Sequence, residues 1–239
     1  MARQEPGTGL QSEVLEDLRG ARHYRRWLCD LVAPHLGDDP IEIGSGIGDY
    51  AAELAAGRRR YTATEADPGR LATLSARFDG DPVVQVRPLA LPATGTGDHS
   101  AAVMLNVLEH IDADVKALRS AAGLVRPGGA VVVFVPAFNG AMSRFDRMIG
   151  HHRRYTRGSL GAALADAGLR TERLHYVNSV GLISWFLLMR CARMIPRDGL
   201  ALRCYDATVI RAVARAERRV RPPFGQSVLA VARVPEAGP

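Results

Sequence analysis

Ile41-Glu42-Ile43-Gly44-Ser45-Gly46-Ile47-Gly48-Asp49-Tyr50 is the stretch on which the reading of this 239-residue chain turns. After Pro40, the alternation of Ile41 and Ile43 predicts a short buried strand. Gly44, Gly46 and Gly48 let the backbone turn tightly and come close to a ligand where a Cβ would collide. Residues 50 to 56 have helix-forming composition and stop at Gly57, so the loop joins a strand to a helix. A glycine loop in that context is suited to a nucleoside-bearing ligand.

Spacing separates the ligand classes. A dinucleotide fingerprint places glycines at the first, third and sixth positions. Counted from Gly44, the sixth position is Asp49, and the third glycine stands instead at Gly48. Acidic-x-Gly-x-Gly-x-Gly, here Glu42, Gly44, Gly46 and Gly48 with Ser45 inside the loop, resembles the first motif of class I S-adenosylmethionine-dependent methyltransferases. The resemblance implies S-adenosyl-L-methionine as cofactor, with the Glu42 carboxylate suited to its ammonium group. Pyrophosphate, by contrast, asks for a helix N-terminus with free N–H groups.

A second strand over residues 61 to 64 leads to Glu65-Ala66-Asp67-Pro68. Glu65 follows Gly44 by 65 − 44 = 21 residues, close to the offset of about 20 at which a strand-end acid meets ribose hydroxyls. Asp67 before Pro68 reads as a helix cap, which leaves Glu65, with the neighbouring Ala66, as the ribose site. After the third strand, residues 83 to 87, the resembled family often carries an acid for the adenine amino group, but this chain reads Pro88-Leu89-Ala90-Leu91-Pro92. The backbone at Ala90 can accept the same hydrogen bond, and Leu89 and Leu91 are placed to sandwich the base.

The apolar run of residues 102 to 108 predicts a fourth strand, ending in Asn106-Val107-Leu108-Glu109-His110-Ile111, with a helix beginning near Asp112. This end also resembles the family, which implies Asn106 facing the cofactor and His110 beside the transferring methyl. The other reading is that Glu109 and His110 cap the helix. A turn at residues 124 to 129 leads to a fifth strand over residues 130 to 136, too apolar to have a wet face. Together with a sixth strand near residues 170 to 177 and a seventh near 227 to 234, the pattern predicts an α/β fold. The expected form is a Rossmann-like, seven-stranded, mostly parallel sheet with helices on both faces and one antiparallel edge.

Hydrophobic residues make up 47% and charged residues 23%, ordinary for a globular chain of one domain. The net charge of +6 is carried almost wholly by arginine, Lys116 being the single lysine. Aromatic residues are few, at 6%, and no aromatic ladder interleaves the basic ones, which argues against nucleic acid as partner. Cys29, Cys191 and Cys204 lack the spacing of a disulfide framework or a zinc site. No acidic cluster with ligand spacing accompanies the histidines, so no metal is expected. With no apolar leader, a cytoplasmic location is the default expectation.

A helical stretch from Gln11 to Leu36, stopped by Gly37, forms an N-terminal extension over residues 1–37; residues 38–239 form the single catalytic domain. The resemblance implies an extension lying over the cofactor pocket as a lid, with Tyr24 and Trp27 as lid residues; helical core is the other role for Trp27. A helical cap insertion is expected at about 180–221. Its apolar run, Val180 to Met189, is too short to span a bilayer and has three readings: a helix lining the acceptor pocket, a homodimer face, or a patch dipping into a membrane surface. The first is preferred.

After the fifth strand come Ala137 and then Asp146-x-x-x-Gly150-His151-x-Arg153-Arg154-Tyr155. This motif resembles a bacterial small-molecule branch of the same methyltransferases. His151 or His110 can take a proton from a hydroxyl, phenol or amine. Arg154 offers a planar fork for an anionic substrate, Asp146 can orient His151, and Tyr155 joins the catalytic candidates. In the alternative reading, Asp146 pairs with Arg153 or Arg154 as a structural corner and Tyr155 is core. The expected function is methylation of a small-molecule acceptor, foremost a phenolic or anionic natural-product precursor, at oxygen or carbon. The alternatives are a sugar or lipid-linked glycan, a nucleotide-dependent dehydrogenase or epimerase, and a non-catalytic cofactor-binding protein.

Overall fold

The computed structural model describes residues 20–185 and 199–236. The apolar runs become strands β1 (Pro40–Ile43), β2 (Tyr61–Glu65), β3 (Val84–Pro88), β4 (His99–Leu105), β5 (Val125–Pro136), β6 (Arg170–Val177) and β7 (Ser227–Arg233). They form one seven-stranded sheet in the order β3-β2-β1-β4-β5-β7-β6. β1 lies between β2 and β4 in parallel, with Ile41 opposite Thr62 and Ala102, and β7 runs antiparallel to both β5 and β6. The order of the strands reverses between β1 and β4, so the crevice for a ligand opens beyond the carboxyl ends of those two strands.

Strand periodicity divides the core between the two faces. On β4 and β5, Ala101, Val103, Leu105, Ala130, Val132 and Phe134 meet one hydrophobic cluster, while Ala102, Met104, Val131, Val133 and Val135 meet the other. Helices α1 (Arg22–Val32), α2 (Asp49–Leu54) and α3 (Pro68–Arg77) cover the first face. Helices α4 (Asp114–Gly123) and α6 (Arg157–Asp166) cover the second, and the short α5 (Arg144–Met148) precedes α6. Asp67 caps α3 as its position before Pro68 predicts, its Oδ1 accepting from the Arg70 N–H at 2.9 Å.

The N-terminal helix is part of this core. Trp27, Leu28, Cys29 and Val32 of α1 are buried against α2, β2 and β4, so Trp27 takes the core role and the described part of residues 1–37 is a layer of the domain. At 11 residues, α1 is too short to persist alone in water; each large buried side chain contributes roughly 1.5–3 kcal/mol to holding it. Its first turn has no side-chain cap of its own. Asp206 supplies one from a distant segment, accepting from the His23 and Tyr24 N–H groups at 2.8 and 2.9 Å.

That segment belongs to the expected insertion. It comprises α7 (Ser179–Trp185), α8 (Leu200–Tyr205), a π-helical turn (Asp206–Ile210) and α9 (Arg211–Glu217). Ile210 and Val213 pack in the core beside α1. The described part of the insertion therefore braces the first face of the sheet, where the sequence places it over the sheet end as a pocket or lid. Residues 186–198, which hold the end of the apolar run and Cys191, lie outside the described residues. Cys29 is a buried free thiol and Cys204 an exposed one. Among the described residues no helix is long and apolar enough to cross a membrane.

Two element boundaries differ from the sequence reading. β4 stops at Leu105, a 3-10 turn occupies Leu108–His110, and α4 starts only at Asp114. The left-handed Asn106, with φ of 55°, ends the strand. Phe138 and Asn178, with φ of 62° and 63°, follow β5 and β6 in the same way. Among the described residues, all three non-glycine positions at positive φ thus lie at one edge of the sheet, its carboxyl edge. Held strain of this kind collects where a site must be shaped.

Candidate active site

The glycine loop is dictated as much by the protein as by any ligand. A Cβ on Gly44, at φ +72°, would come within 2.7 Å of Val107 Cγ2; one on Gly48, at φ +85°, would meet Phe78 at 2.6 Å and Leu74 at 2.8 Å. The loop is thereby pressed against the segment following β4 and against α3. Ser45 ties it to β2, its N–H donating to the Thr64 carbonyl at 2.7 Å and its Oγ accepting from the Thr64 N–H at 3.1 Å.

Glu65 holds the same loop from the end of β2. Its Oε2 accepts from the Gly46 N–H at 2.9 Å, while Oε1 accepts from the Ala66 and Asp67 N–H groups and from Arg70 Nη2. With two lone pairs on each oxygen, Oε1 is fully used and Oε2 retains one acceptor direction for a ligand hydroxyl. The Glu65 carbonyl also receives the Leu89 N–H at 3.2 Å. Leu89 and Leu91 are half-buried against the second hydrophobic cluster, and Ala90 is exposed between them.

Glu42 lies deeper than its motif position suggests. It is 1% exposed and faces α1, with Oε2 accepting from Ser45 Oγ and the Tyr61 hydroxyl, both at 3.0 Å. Burial pushes its carboxyl up to about 7, with the two hydrogen bonds drawing it part of the way back. Tyr24 is near the same edge, where its hydroxyl bonds Ser227 and burial pushes its phenol up to about 12.

The second group of polar residues gathers beyond β4 and β5. The Asp146 to Tyr155 motif folds as a corner. Ser143 and Asp146 form a reciprocal cap on α5, Asp146 Oδ2 accepting from the Ser143 N–H at 2.6 Å. Arg154 is 4% exposed; its Nη2 and Nε donate to Asp146 Oδ1 at 2.6 and 3.2 Å, and its Nη1 donates to the Ala137 carbonyl at 3.3 Å. Arg154 is therefore a structural partner of Asp146, in place of the substrate anchor expected from its chemistry. Tyr155 is likewise core, 2% exposed, with its hydroxyl donating to Asp114 Oδ2 at 2.9 Å. A catalytic role for either disagrees with this burial. Arg153 pairs with Asp114 and Asp112 at 2.8 and 3.0 Å.

What the corner displays is His151. Its Nδ1 lies 3.1 Å from Asp146 Oδ1 without the alignment of a hydrogen bond, the juxtaposition expected of an orienting carboxylate. Its ring meets that of His110 edge to face, with centroids 4.6 Å apart. Its Nε2 lies 3.8 Å from Glu109 Oε1. Asp146 is held well below the usual carboxylate range: against the cost of burial, His151, Arg154 and Ser143 all favour its charge. Burial and the neighbouring His151 push His110 down to about 4, so its imidazole is neutral at pH 7. Arg70, the partner of Glu65, is close enough to add to that effect, which makes the two polar groups neighbours.

Glu109 is the residue that sequence reasoning passed over as a cap. It is wholly buried, neither carboxylate oxygen has a hydrogen-bond partner, and burial raises its carboxyl to about 8. Its ligand oxygen, one nitrogen of His110 and one of His151 all lie within 4.8 Å of one another. Folding brings this one acid, from the end of β4, against both histidines. An acid immediately before His110 in an otherwise apolar run was the available signal. A separate cavity of about 340 Å³, lined by Pro34, His35, Ser100, Arg126 and Arg233 among others, opens at the amino end of β4 and β5, away from these groups.

Comparison with known proteins bears on the fold that carries these groups. A family described as a methyltransferase domain matches residues 41–131, from β1 into β5. Uncharacterized methyltransferases of Mycobacterium bovis and Mycobacterium tuberculosis are 29% identical over 166 residues, a match covering 60% of this chain and 64% of theirs. The match thus spans less than two thirds of the relatives' length. Among solved structures, a Haloferax volcanii complex between the Trm112 methyltransferase activator and a methyltransferase superposes with TM-score 0.65 at 14% identity, over 99% of this chain and 100% of that one. A geranyl diphosphate methyltransferase with geranyl diphosphate and sinefungin bound gives 0.59 at 14% identity, over 86% and 77%. The [4+2]-cyclase SpnF gives 0.59 at 19% identity, over 89% and 82%. The fold is common to all three, and their chemistries differ.

Proposed function

We propose that the chain is a class I methyltransferase that binds S-adenosyl-L-methionine across the carboxyl ends of β1 and β2 and methylates a small-molecule acceptor held beside His110 and His151. One observation carries the reading. The glycine loop, Glu65, Asn106, His110 and His151 come from four separate segments and meet at a single edge of the sheet, with Val107 in contact with the loop.

The residues present fit that cofactor. The free acceptor direction on Glu65 Oε2 suits a ribose hydroxyl. The Glu42 carboxyl suits an ammonium, whose approach would favour its ionised form. Leu89 and Leu91 offer apolar faces for a base. When bound, S-adenosylmethionine would supply a methyl group already activated by its sulfonium. The protein then needs to align the acceptor and accept its proton. His151, with Asp146 alongside, has the chemistry to accept a proton from a hydroxyl or phenol. His110, kept neutral by burial, can accept a hydrogen bond from the same group.

A phenolic or anionic natural-product precursor is the preferred acceptor. The geranyl diphosphate methyltransferase shares the fold and holds an anionic small molecule, which supports that preference. SpnF lends weight to a cofactor-binding protein that does other chemistry. Titration calorimetry with S-adenosylhomocysteine, NAD and NADP tests the cofactor, with binding expected for the first alone. Methyl transfer from labelled cofactor to a panel of phenols, carboxylates and sugars tests the acceptor. A His151→Ala protein that binds cofactor normally and keeps full turnover would remove His151 from its role.

A further inference from the structure

We infer that Glu109, His110 and His151 form a binding site for one divalent transition-metal ion, of the class that takes imidazole and carboxylate ligands together. The three ligand atoms lie within 4.8 Å of one another. Glu109 is wholly buried with both oxygens lacking a hydrogen-bond partner among the described residues. A buried polar group left in that state calls for an explanation, and a cation between it and the two imidazoles supplies one.

The surroundings support ligation independently of the triad. Metal-bound histidines characteristically give their second nitrogen to a carboxylate or a backbone carbonyl, which fixes the ring and its tautomer. His151 presents Nε2 towards Glu109 and keeps Nδ1 3.1 Å from Asp146. His110 makes a ring hydrogen bond to the backbone of Gly150. Asp146 is itself held by Ser143 and Arg154, so the support is rigid. Two imidazoles and one carboxylate suit zinc, iron(II) or cobalt(II) better than magnesium or calcium, and three protein ligands leave coordination positions open. With the ion bound, both nitrogens of His151 face the metal and Asp146, so the metal-bound state excludes the proton-accepting role proposed for His151, and the two uses of the site alternate. The ligands at 109, 110 and 151 are too widely separated in sequence for spacing alone to reveal the site.

Binding of the ion does not depend on the methyl-transfer reading, and the experiment keeps the two apart. Chelator-treated full-length protein is titrated with zinc, and metal is counted by elemental analysis after gel filtration; cobalt(II) is added to a second sample and its visible absorption recorded. The expected result is one zinc per chain, a cobalt spectrum of reduced symmetry, and affinity lowered by about 10-fold or more in Glu109→Gln and in His151→Asn. Circular dichroism and S-adenosylhomocysteine binding are measured on each variant, so that lost folding is recognised. Failure to retain zinc in the well-folded parent overturns the site. Retention undiminished in the Glu109→Gln/His151→Asn double variant does the same, because the ion would then sit elsewhere. A protein that holds zinc but ignores S-adenosylhomocysteine would leave the metal site standing and remove the methyl-transfer proposal.

Discussion

The two polar groups at the carboxyl edge of the sheet are neighbours with opposite internal accounting. Around the glycine loop, Glu65 accepts four hydrogen bonds, Glu42 accepts two, and Ser45 is bonded through both its N–H and its Oγ. A short distance away, beyond β4, Glu109 accepts none although it is just as deeply buried. The first group has spent its bonding capacity on holding a loop in place, leaving one free direction. The second has kept its capacity back. A site can therefore be divided into a part that shapes the crevice and a part that waits for something to enter it.

The comparison can be broken most forcefully at Asp146, the saturated carboxylate beside the bare one. Asp146→Ala leaves the buried Arg154 without its partner, which should cost about 3–5 kcal/mol, read as a lower midpoint in urea unfolding. A loss below about 1 kcal/mol would mean that the corner is not held by charge.

Glu42 gives the next largest effect. Its carboxyl is raised to about 7 in the folded chain, against about 4.3 in the unfolded one. Between those values the folded state binds more protons, so stability is greatest below the unfolded pKa and falls as pH rises through the folded one. Between pH 5 and 8 the loss should be on the order of 2–3 kcal/mol, and Glu42→Gln should flatten the slope. Unfolding free energies of parent and variant at a series of pH values test this; parallel curves would contradict it.

Glu65→Gln sharpens the contrast from within the paired group. An amide nitrogen facing the Gly46 N–H replaces an acceptor with a donor, a cost of about 1–3 kcal/mol, and calorimetry should find S-adenosylhomocysteine bound at least 10-fold more weakly, since about 1.4 kcal/mol corresponds to that factor. Unchanged affinity would take Glu65 out of the ribose site. Last, Glu109→Gln should raise stability at pH 7, because burial holds the carboxyl at about 8, well above its unfolded value, and the neutral amide is spared that cost. A loss above about 2 kcal/mol in denaturant would reveal a partner for Glu109 and abolish the difference between the two groups.

The parts of this layout that were legible in sequence are those encoded locally. Ile41 and Ile43 before three glycines, the apolar runs of β4 and β5, and Asp67 before Pro68 each state their structure within a few residues, whereas the antiparallel strand expected at an edge is β7, which pairing places between β5 and β6. Arg154 and Tyr155 were left with two readings because their partners, Asp146 and Asp114, are chosen by the fold; a buried arginine and an exposed one look alike in a motif. Glu109 entered the sequence reading only through the alternative in which it caps a helix, because its isolation is visible only once its surroundings are known. Trp27 could be assigned to core or lid from periodicity alone, and packing against β2 and β4 decides for core.

The contact between Asp206 and the first turn of α1 has a consequence for synthesis. The residue that completes the amino-terminal helix is translated 206 − 23 = 183 positions after His23. Until it leaves the ribosome, two N–H groups at the start of that helix have only water to bond, and the sheet face beneath Trp27 and Leu28 is without its stable cover. The nascent chain must therefore carry that helix uncapped through all the elongation that separates His23 from Asp206.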